Sequence, residues 1–189
     1  MSHAKSNQTD LQIIRCALAG DKEVFGLLVQ KYQNRLFNSM VQITRNELEA
    51  EDVVQDAYVL AFSKLSTYKG NSAFFTWLYR IAFNVAISRM RRKRPTVSLQ
   101  GKDERSRLDF PDHGPAPDAN IKRCEEVLQL QAALSRLSDE HRIILVLREM
   151  DELDYDAISD ILELPIGTVR SRLHRARGRL GELLQTNAD

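Results

Sequence analysis

The sequence is poor in the residues that carry chemistry: two cysteines, four histidines and one tryptophan in 189 positions. Cys16 and Cys124 stand far apart and outside any CxxC or Cys/His cluster, so neither a disulfide framework nor a zinc site is indicated. Both read as buried structural thiols. His3, His113, His141 and His174 are scattered, and no carboxylate pair or nucleophile has supporting residues nearby. The expectation is a protein that is not an enzyme and holds no metal or cofactor. No apolar run is long enough to span a bilayer, and the polar stretch Met1 to Asp10 lacks the apolar core of a signal peptide. A soluble, cytoplasmic protein without membrane insertion is expected.

Proline is scarce too, and four of the five prolines fall between Pro95 and Asn120, with two glycines, many charges and few aliphatics. That composition predicts a linker over 95–120 between a module at 10–94 and a second at 121–186. Fully extended it would reach roughly 80 Å, and as a flexible coil it would average on the order of 30 Å. One to two turns of DNA duplex, at about 34 Å each, lie within that reach.

Helical periodicity dominates elsewhere, and the predicted class is all-α, two small helical domains. Leu11 to Ala19 reads as a short helix ended by Gly20. Lys22 to about Ile43 follows, with Phe25, Leu28, Tyr32, Leu36 and Met40 on one face. A third helix, about Glu47 to Ser66, turns Val54, Tyr58, Ala61 and Leu65 inward. Ser72 is expected to cap a fourth, bearing Phe74, Leu78, Ile81 and Val85. In the second module, Ile121 to Leu137 and Asp139 to Glu149 read as helices, with Ser138 as N-cap. Ile143 to Leu147 is apolar all round and predicts the centre of a core.

The formal net charge of +1 conceals an uneven distribution. Ser138 to Pro165 carries nine acids against two arginines, whereas Ile166 to Leu180 carries five arginines and no acid. On a helix, Val169, Leu173, Ala176 and Leu180 share one narrow sector. Ser171, His174, Arg175 and Gly178 then face outward, with Arg170, Arg172, Arg177 and Arg179 on the flanks. Such a helix can enter a major groove while its shoulders bind phosphate. Upstream, Asp154 caps a short helix to Leu162, and Glu163-Leu164-Pro165 breaks the chain before the next helix. The pair makes a helix-turn-helix with Ile158, Ile161, Leu164, Val169 and Leu173 as its core and Ala157 at the close approach.

Two features of the first module exceed what packing requires. Glu47 to Asp56 holds five acids in ten residues, more than helix-dipole complementarity needs, and suits docking against a basic helical surface. Tyr68 to Arg80 interleaves aromatics with cations, and five cations follow between Arg89 and Arg94. Aromatics beside cations offer stacking surfaces and phosphate partners for an opened strand. Phe74, Trp77 and Leu78 read mostly as core, with Tyr68 and Asn84 as better nucleotide contacts.

Three stretches in order, Glu51-Asp-Val-Val-Gln-Asp-Ala-Tyr58, Phe74-Phe-Thr-Trp-Leu-Tyr-Arg-Ile-Ala-Phe-Asn84 and Pro165-Ile-Gly-Thr-Val-Arg-Ser-Arg-Leu-His-Arg-Ala-Arg177, resemble the extracytoplasmic-function sigma factors of bacterial RNA polymerase, of the sigma-E type. The resemblance runs from about Leu11 to Leu184. It implies a second and a fourth sigma domain and promoter-specific initiation with core polymerase. It implies that Asp52, Gln55 and Asp56 meet the clamp helices of the largest subunit. It implies that Tyr68, Lys69, Asn71, Ser72, Trp77, Arg80, Asn84, Ser88, Arg91 and Arg92 serve the −10 element. By the same likeness Arg170, Ser171, His174 and Arg175 face −35 bases, and Thr168, Arg172, Arg177 and Arg179 face phosphates. Promoter DNA and a restraining anti-sigma protein are the further partners implied. A stand-alone helix-turn-helix regulator is the alternative reading; it would need a dimer seam or sensor segment, and none is visible.

Overall fold

The computed structural model describes residues 2–93 and 119–185, with side chains for 9–92 and 127–185. Every regular element among them is helical. The expected linker lies outside the described residues up to Ala119.

The first module is α1 (Ser2–Leu18), α2 (Phe25–Thr44), α3 (Glu47–Ser63) and α4 (Phe74–Lys93), with 3₁₀ turns at Lys22–Val24 and Leu65–Thr67. Helix α1 starts before the expected Leu11, since no glycine or proline interrupts Ser2 to Leu18 and apolar periodicity cannot register polar turns. Gly20, at φ +115°, ends it as expected. Cys16 is exposed, not buried. Buried Asp10 ties α1 to α2, meeting Lys31 Nζ and Tyr32 Oη at 2.5 Å each. The predicted stripe of α2 is buried throughout.

Helix α3 is turned slightly from its expected register. Ala50, Val53, Ala57 and Ala61 are buried, while Val54 and Tyr58 are only half-buried. Three of those four are alanines, which let α3 lie close between α2 and α4. Asn46, with Oδ1 2.9 Å from the Glu49 amide, caps its start. Ser72 does not cap α4: its carbonyl instead accepts the Tyr68 hydroxyl at 2.6 Å, closing the 68–72 loop over Gly70 at φ +75°. Helix α4 buries Phe74, Phe75, Leu78, Tyr79, Ala82, Phe83 and Ala86, with Ile81 and Val85 only half-buried. That face is wide because α4 is packed by α2 and α3 and also by α7.

The second module is α5 (Ala119–Ser135), α6 (Asp139–Leu145), a π-helical turn (Val146–Met150), α7 (Tyr155–Leu162) and α8 (Ile166–Gln185). Ser138 and Asp154 are the N-caps expected of them. Ile143 to Leu147 is buried, and Ile158, Ile161, Val169, Leu173 and Ala176 complete the core, with Leu164 and Leu180 half-buried at its edge. The helix expected to run on to Glu149 widens instead at Val146. The Asp151 amide reaches back five residues to the Val146 carbonyl at 3.0 Å, and the extra residue re-aims the chain that follows. The two modules pack on each other through α2 and α4 on one side and α6, the π turn and α7 on the other.

Candidate nucleic-acid and polymerase interface

Helix α8 presents its charge as the periodicity predicts. Its apolar spine anchors it against α6 and α7, and Arg170, Ser171, His174, Arg175, Arg177, Gly178 and Arg179 are exposed. Thr168 and Arg172 are half-buried. The arginines are not equivalent. Arg177 places Nε and Nη2 at 2.9 and 2.6 Å from Glu149 Oε1, Arg179 meets Glu182 at 2.7 Å, and Arg172 meets Glu140 at 3.3 Å. Arg170 lies 5.7 Å from the centroid of Tyr155, whose ring also carries Arg148 at 5.2 Å. Arg175 donates to the Ser171 carbonyl at 3.3 Å within its own helix. Arg172, Arg177 and Arg179 are thus held by acids of their own module, while Arg170, on the same flanks, and Arg175, on the outward crest, have no acidic partner among the described residues. Exposed pairs of this kind are weak and exchange readily for phosphate.

On α4, Trp77, Arg80, Asn84, Ser88 and Arg91 recur every three or four residues, so they share a face about 20 Å long. Trp77 is half-buried; Arg80, Asn84, Ser88, Arg91 and Arg92 are exposed. At the head of this face the Tyr68 ring packs on Trp77 and edge-on to Phe74, with centroids 5.4 and 5.7 Å apart. Burial, joined by the nearby Asp10 carboxyl and Tyr32, pushes the Tyr68 phenol up to about 12, so it stays a neutral donor. Its proton is committed to Ser72, which leaves Lys69 and Asn71 as the exposed groups of the loop.

The acidic helix is less free than its composition suggests. Arg89 of α4 reaches α3 and meets Asp52 at 2.8 Å and Asp56 at 2.5 Å, which raises its own pKa through those two hydrogen bonds. Gln55 is exposed and lines an open cleft between α2 and α3 with Gln33, Asn34, Phe37, Glu51 and Val54. The α2 contribution went unnoticed in the sequence, where Gln33-Asn34 beside half-buried Phe37 was the available signal. The pairing of Arg89 went unnoticed as well, because it depends on α3 and α4 lying side by side. No metal-binding cluster occurs among the described residues. No described helix is long and apolar enough to cross a membrane.

Two all-helical modules, a helix-turn-helix and an acidic helix beside an aromatic and cationic face define a protein built to hold DNA and a partner at once. Residues 28–96 match the family model Sigma-70 region 2, and residues 128–180 match Sigma-70, region 4. The chain is 34% identical over 186 residues to the RNA polymerase sigma-H factor of Pseudomonas aeruginosa, covering 95% of this chain and 96% of that one. It is 34% identical over 184 residues to the ECF RNA polymerase sigma-E factor of Escherichia coli K12, covering 94% and 95%. Among solved structures it resembles the sigma factor RpoE in complex with the anti-sigma factor NepR from Bartonella quintana. That match has a TM-score of 0.68 and 26% identity, and covers 85% of this chain and 96% of that one. The chain belongs to the extracytoplasmic-function sigma factor family.

Proposed function

We propose that this chain is the promoter-recognition subunit of a bacterial RNA polymerase, carrying modules at 10–94 and 121–186 joined by the linker 95–120. The acidic face with Asp52, Gln55 and Asp56, extended by the Gln33 to Phe37 side of the cleft, docks on the clamp helices of the largest subunit. Helix α8 enters the −35 major groove, with Arg170, Ser171, His174 and Arg175 toward bases and Thr168, Arg172, Arg177 and Arg179 toward phosphates. The face of α4 with Arg80, Asn84, Ser88, Arg91 and Arg92, together with Lys69, Asn71, Ser72, Tyr68 and Trp77 at its head, holds the melted −10 strand. Opening DNA costs stacking and pairing energy, and stacking of a base on an aromatic ring, about 1–3 kcal/mol each, offsets part of it. The nucleotidyl chemistry belongs to the polymerase, and an anti-sigma protein is the expected restraint.

The observation that carries this reading is the pairing, in one chain, of a region-2 match on the aromatic and cationic module with a region-4 match on the helix-turn-helix module. The test is transcription in vitro with purified bacterial core polymerase on a promoter library, with and without the protein. New start sites sharing −35 and −10 elements are expected. Duplex binding by the protein alone, with no core binding and no initiation, would assign it to stand-alone regulators.

A further inference from the structure

Tyr155 is the sole aromatic residue between Ala119 and Asp189, in a module whose core is otherwise aliphatic. A core filled by isoleucine, leucine and valine has no need of one ring, and the ring is not inside it. Tyr155 is half-buried at the first position of α7, packed against the rim of that core. Asp154 fixes its backbone there. The Asp154 Oδ1 lies 2.8 Å from the Ala157 amide, and the Asp154 carbonyl accepts the Ile158 amide at 3.0 Å. A capped first turn does not fray, so the ring departs from a steady base.

Two guanidiniums share that ring. Arg148, from the π turn, has its guanidinium carbon 5.2 Å from the ring centroid. It also donates through Nη1 to the Leu153 carbonyl at 2.8 Å, which ties it to the chain two residues before the tyrosine. Arg170, in the first turns of α8, lies 5.7 Å from the same centroid. Both fall within the roughly 6 Å over which a ring quadrupole attracts a cation. The packing of α7 on α8 and on the π turn brings the three side chains together.

This contact sets Arg170 apart from the other arginines of α8. Arg172, Arg177 and Arg179 meet Glu140, Glu149 and Glu182, and Arg175 bonds the Ser171 carbonyl of its own helix. A carboxylate occupies N–H donors and must be displaced before its arginine meets DNA. An aromatic ring constrains a guanidinium and leaves those donors uncommitted. Reading a base edge takes two parallel N–H groups aimed together, and a freely rotating side chain loses conformational freedom when it is fixed that way. A guanidinium already held on a ring loses less.

We propose that Tyr155 is a positioning residue for −35 recognition. Its ring, steadied by the Asp154 cap and shared with Arg148, holds the Arg170 guanidinium ready for a two-point contact and so sets how strongly one base pair is discriminated. The proposal rests on the reading above that Arg170 faces bases.

The test is transcription in vitro by holoenzyme formed with the full chain, on promoters carrying every single substitution across the −35 element, two promoters competing in each reaction. The ratio of two transcripts does not depend on how much of a variant is folded or bound to core, so a destabilised variant still reports. Arg170→Ala identifies the base pair that this side chain reads. At that pair Tyr155→Leu should lower discrimination roughly two- to fivefold, the factor that a cation-π contact at an exposed site contributes, and leave the other pairs unchanged. Tyr155→Phe, which keeps the ring, should match the wild type. In an Arg170→Ala background Tyr155→Leu should change nothing further, because the two side chains act as one unit. Full discrimination by Tyr155→Leu beside a clear loss in Arg170→Ala overturns the positioning role. An equal loss in Tyr155→Phe also overturns it, by assigning the effect to the hydroxyl, and so does a loss spread evenly over all −35 pairs, which marks a loosened α8. If Arg170→Ala alters no −35 pair while promoter-specific transcripts persist, the base-facing role of Arg170 falls and takes this proposal with it. Absence of promoter-specific transcripts with every form, the wild type included, would overturn the promoter reading itself.

Discussion

The two modules are built from different side chains. Apart from Phe110 and Tyr155, every aromatic residue of the chain lies between Phe25 and Phe83. There the rings of Phe25, Tyr32, Tyr68, Phe74, Phe75 and Trp77 form a connected set of edge-on and tilted contacts, with centroids 5.4 to 6.5 Å apart. The second module packs Ile143, Ile144, Leu147, Ile158, Ile161, Val169 and Leu173 instead. An aromatic core can extend to its rim and present a ring to an unstacked base, as Trp77 and Tyr68 are placed to do. An aliphatic core has nothing to offer a base but holds a helix rigidly, which reading a duplex by hydrogen bonds requires. Packing chemistry and proposed substrate thus change together along the chain.

The strongest way to break this comparison is to remove the ring at the centre of the first core. Phe74 is fully buried and touches Phe25, Tyr32, Tyr68 and Trp77. Phe74→Ala should cost about 3–5 kcal/mol, a large part of the stability of a small domain. Denaturant unfolding followed by Trp77 fluorescence would report it. A cost below about 1 kcal/mol would mean that the aromatic set is not the core's main support. A smaller effect sharpens the contrast from the other side. Among the described residues Arg170 meets no acid and only the Tyr155 ring, so Arg170→Ala should change unfolding by no more than about 1 kcal/mol while weakening a −35 element by about 1–3 kcal/mol. Transcription from promoters with intact and scrambled −35 sequences would measure it, and an unchanged ratio would remove Arg170 from base readout.

What could be read from the sequence divides along physical lines. The spine of α8, the caps Ser138 and Asp154, the apolar block Ile143 to Leu147 and the Gly20 stop are local signals, and each appears where expected. The register of α3 was misjudged because branched and aromatic residues outweigh alanines on a hydrophobicity scale, whereas close helix packing favours the alanines. The cap expected at Ser72 failed because α4 starts at Phe74, with the Ala73 carbonyl accepting the Trp77 amide at 3.2 Å, so the N-cap position falls one residue later on an alanine. Arg80 was legible as an exposed cation, but not its pairing with Glu163. Asp151 looked like one acid among nine, and only the π turn and the packing of the modules reveal it as the buried one. Contacts between distant segments leave no local periodicity to read.

The least of the expected effects concerns the same carboxyl. Burial pushes the Asp151 pKa above the ordinary carboxylate value of 3.8, against the opposing influence of the Ser39 and Tyr79 hydroxyls and the Arg35 charge. Burial, with Asp151 beside it, likewise holds the Tyr79 phenol far above its usual range, so Tyr79 stays neutral and does not compete for the transition. With the seam between α2 and the π turn open and the modules apart, Asp151, which Ser39 and Arg35 hold in the closed form, returns to solvent and to its ordinary value. The closed form therefore binds the proton more tightly. Its extra stability is fully present below the ordinary carboxylate range and is lost as pH rises through the raised value. Scattering profiles of the full chain, collected from neutral pH down toward pH 5, should show the closed fraction increase. Asp151→Asn, which cannot titrate, should flatten that dependence. If acidification opens the wild type instead, the carboxylate is bound by Arg35 more strongly than burial opposes it, and the seam works as an ion pair.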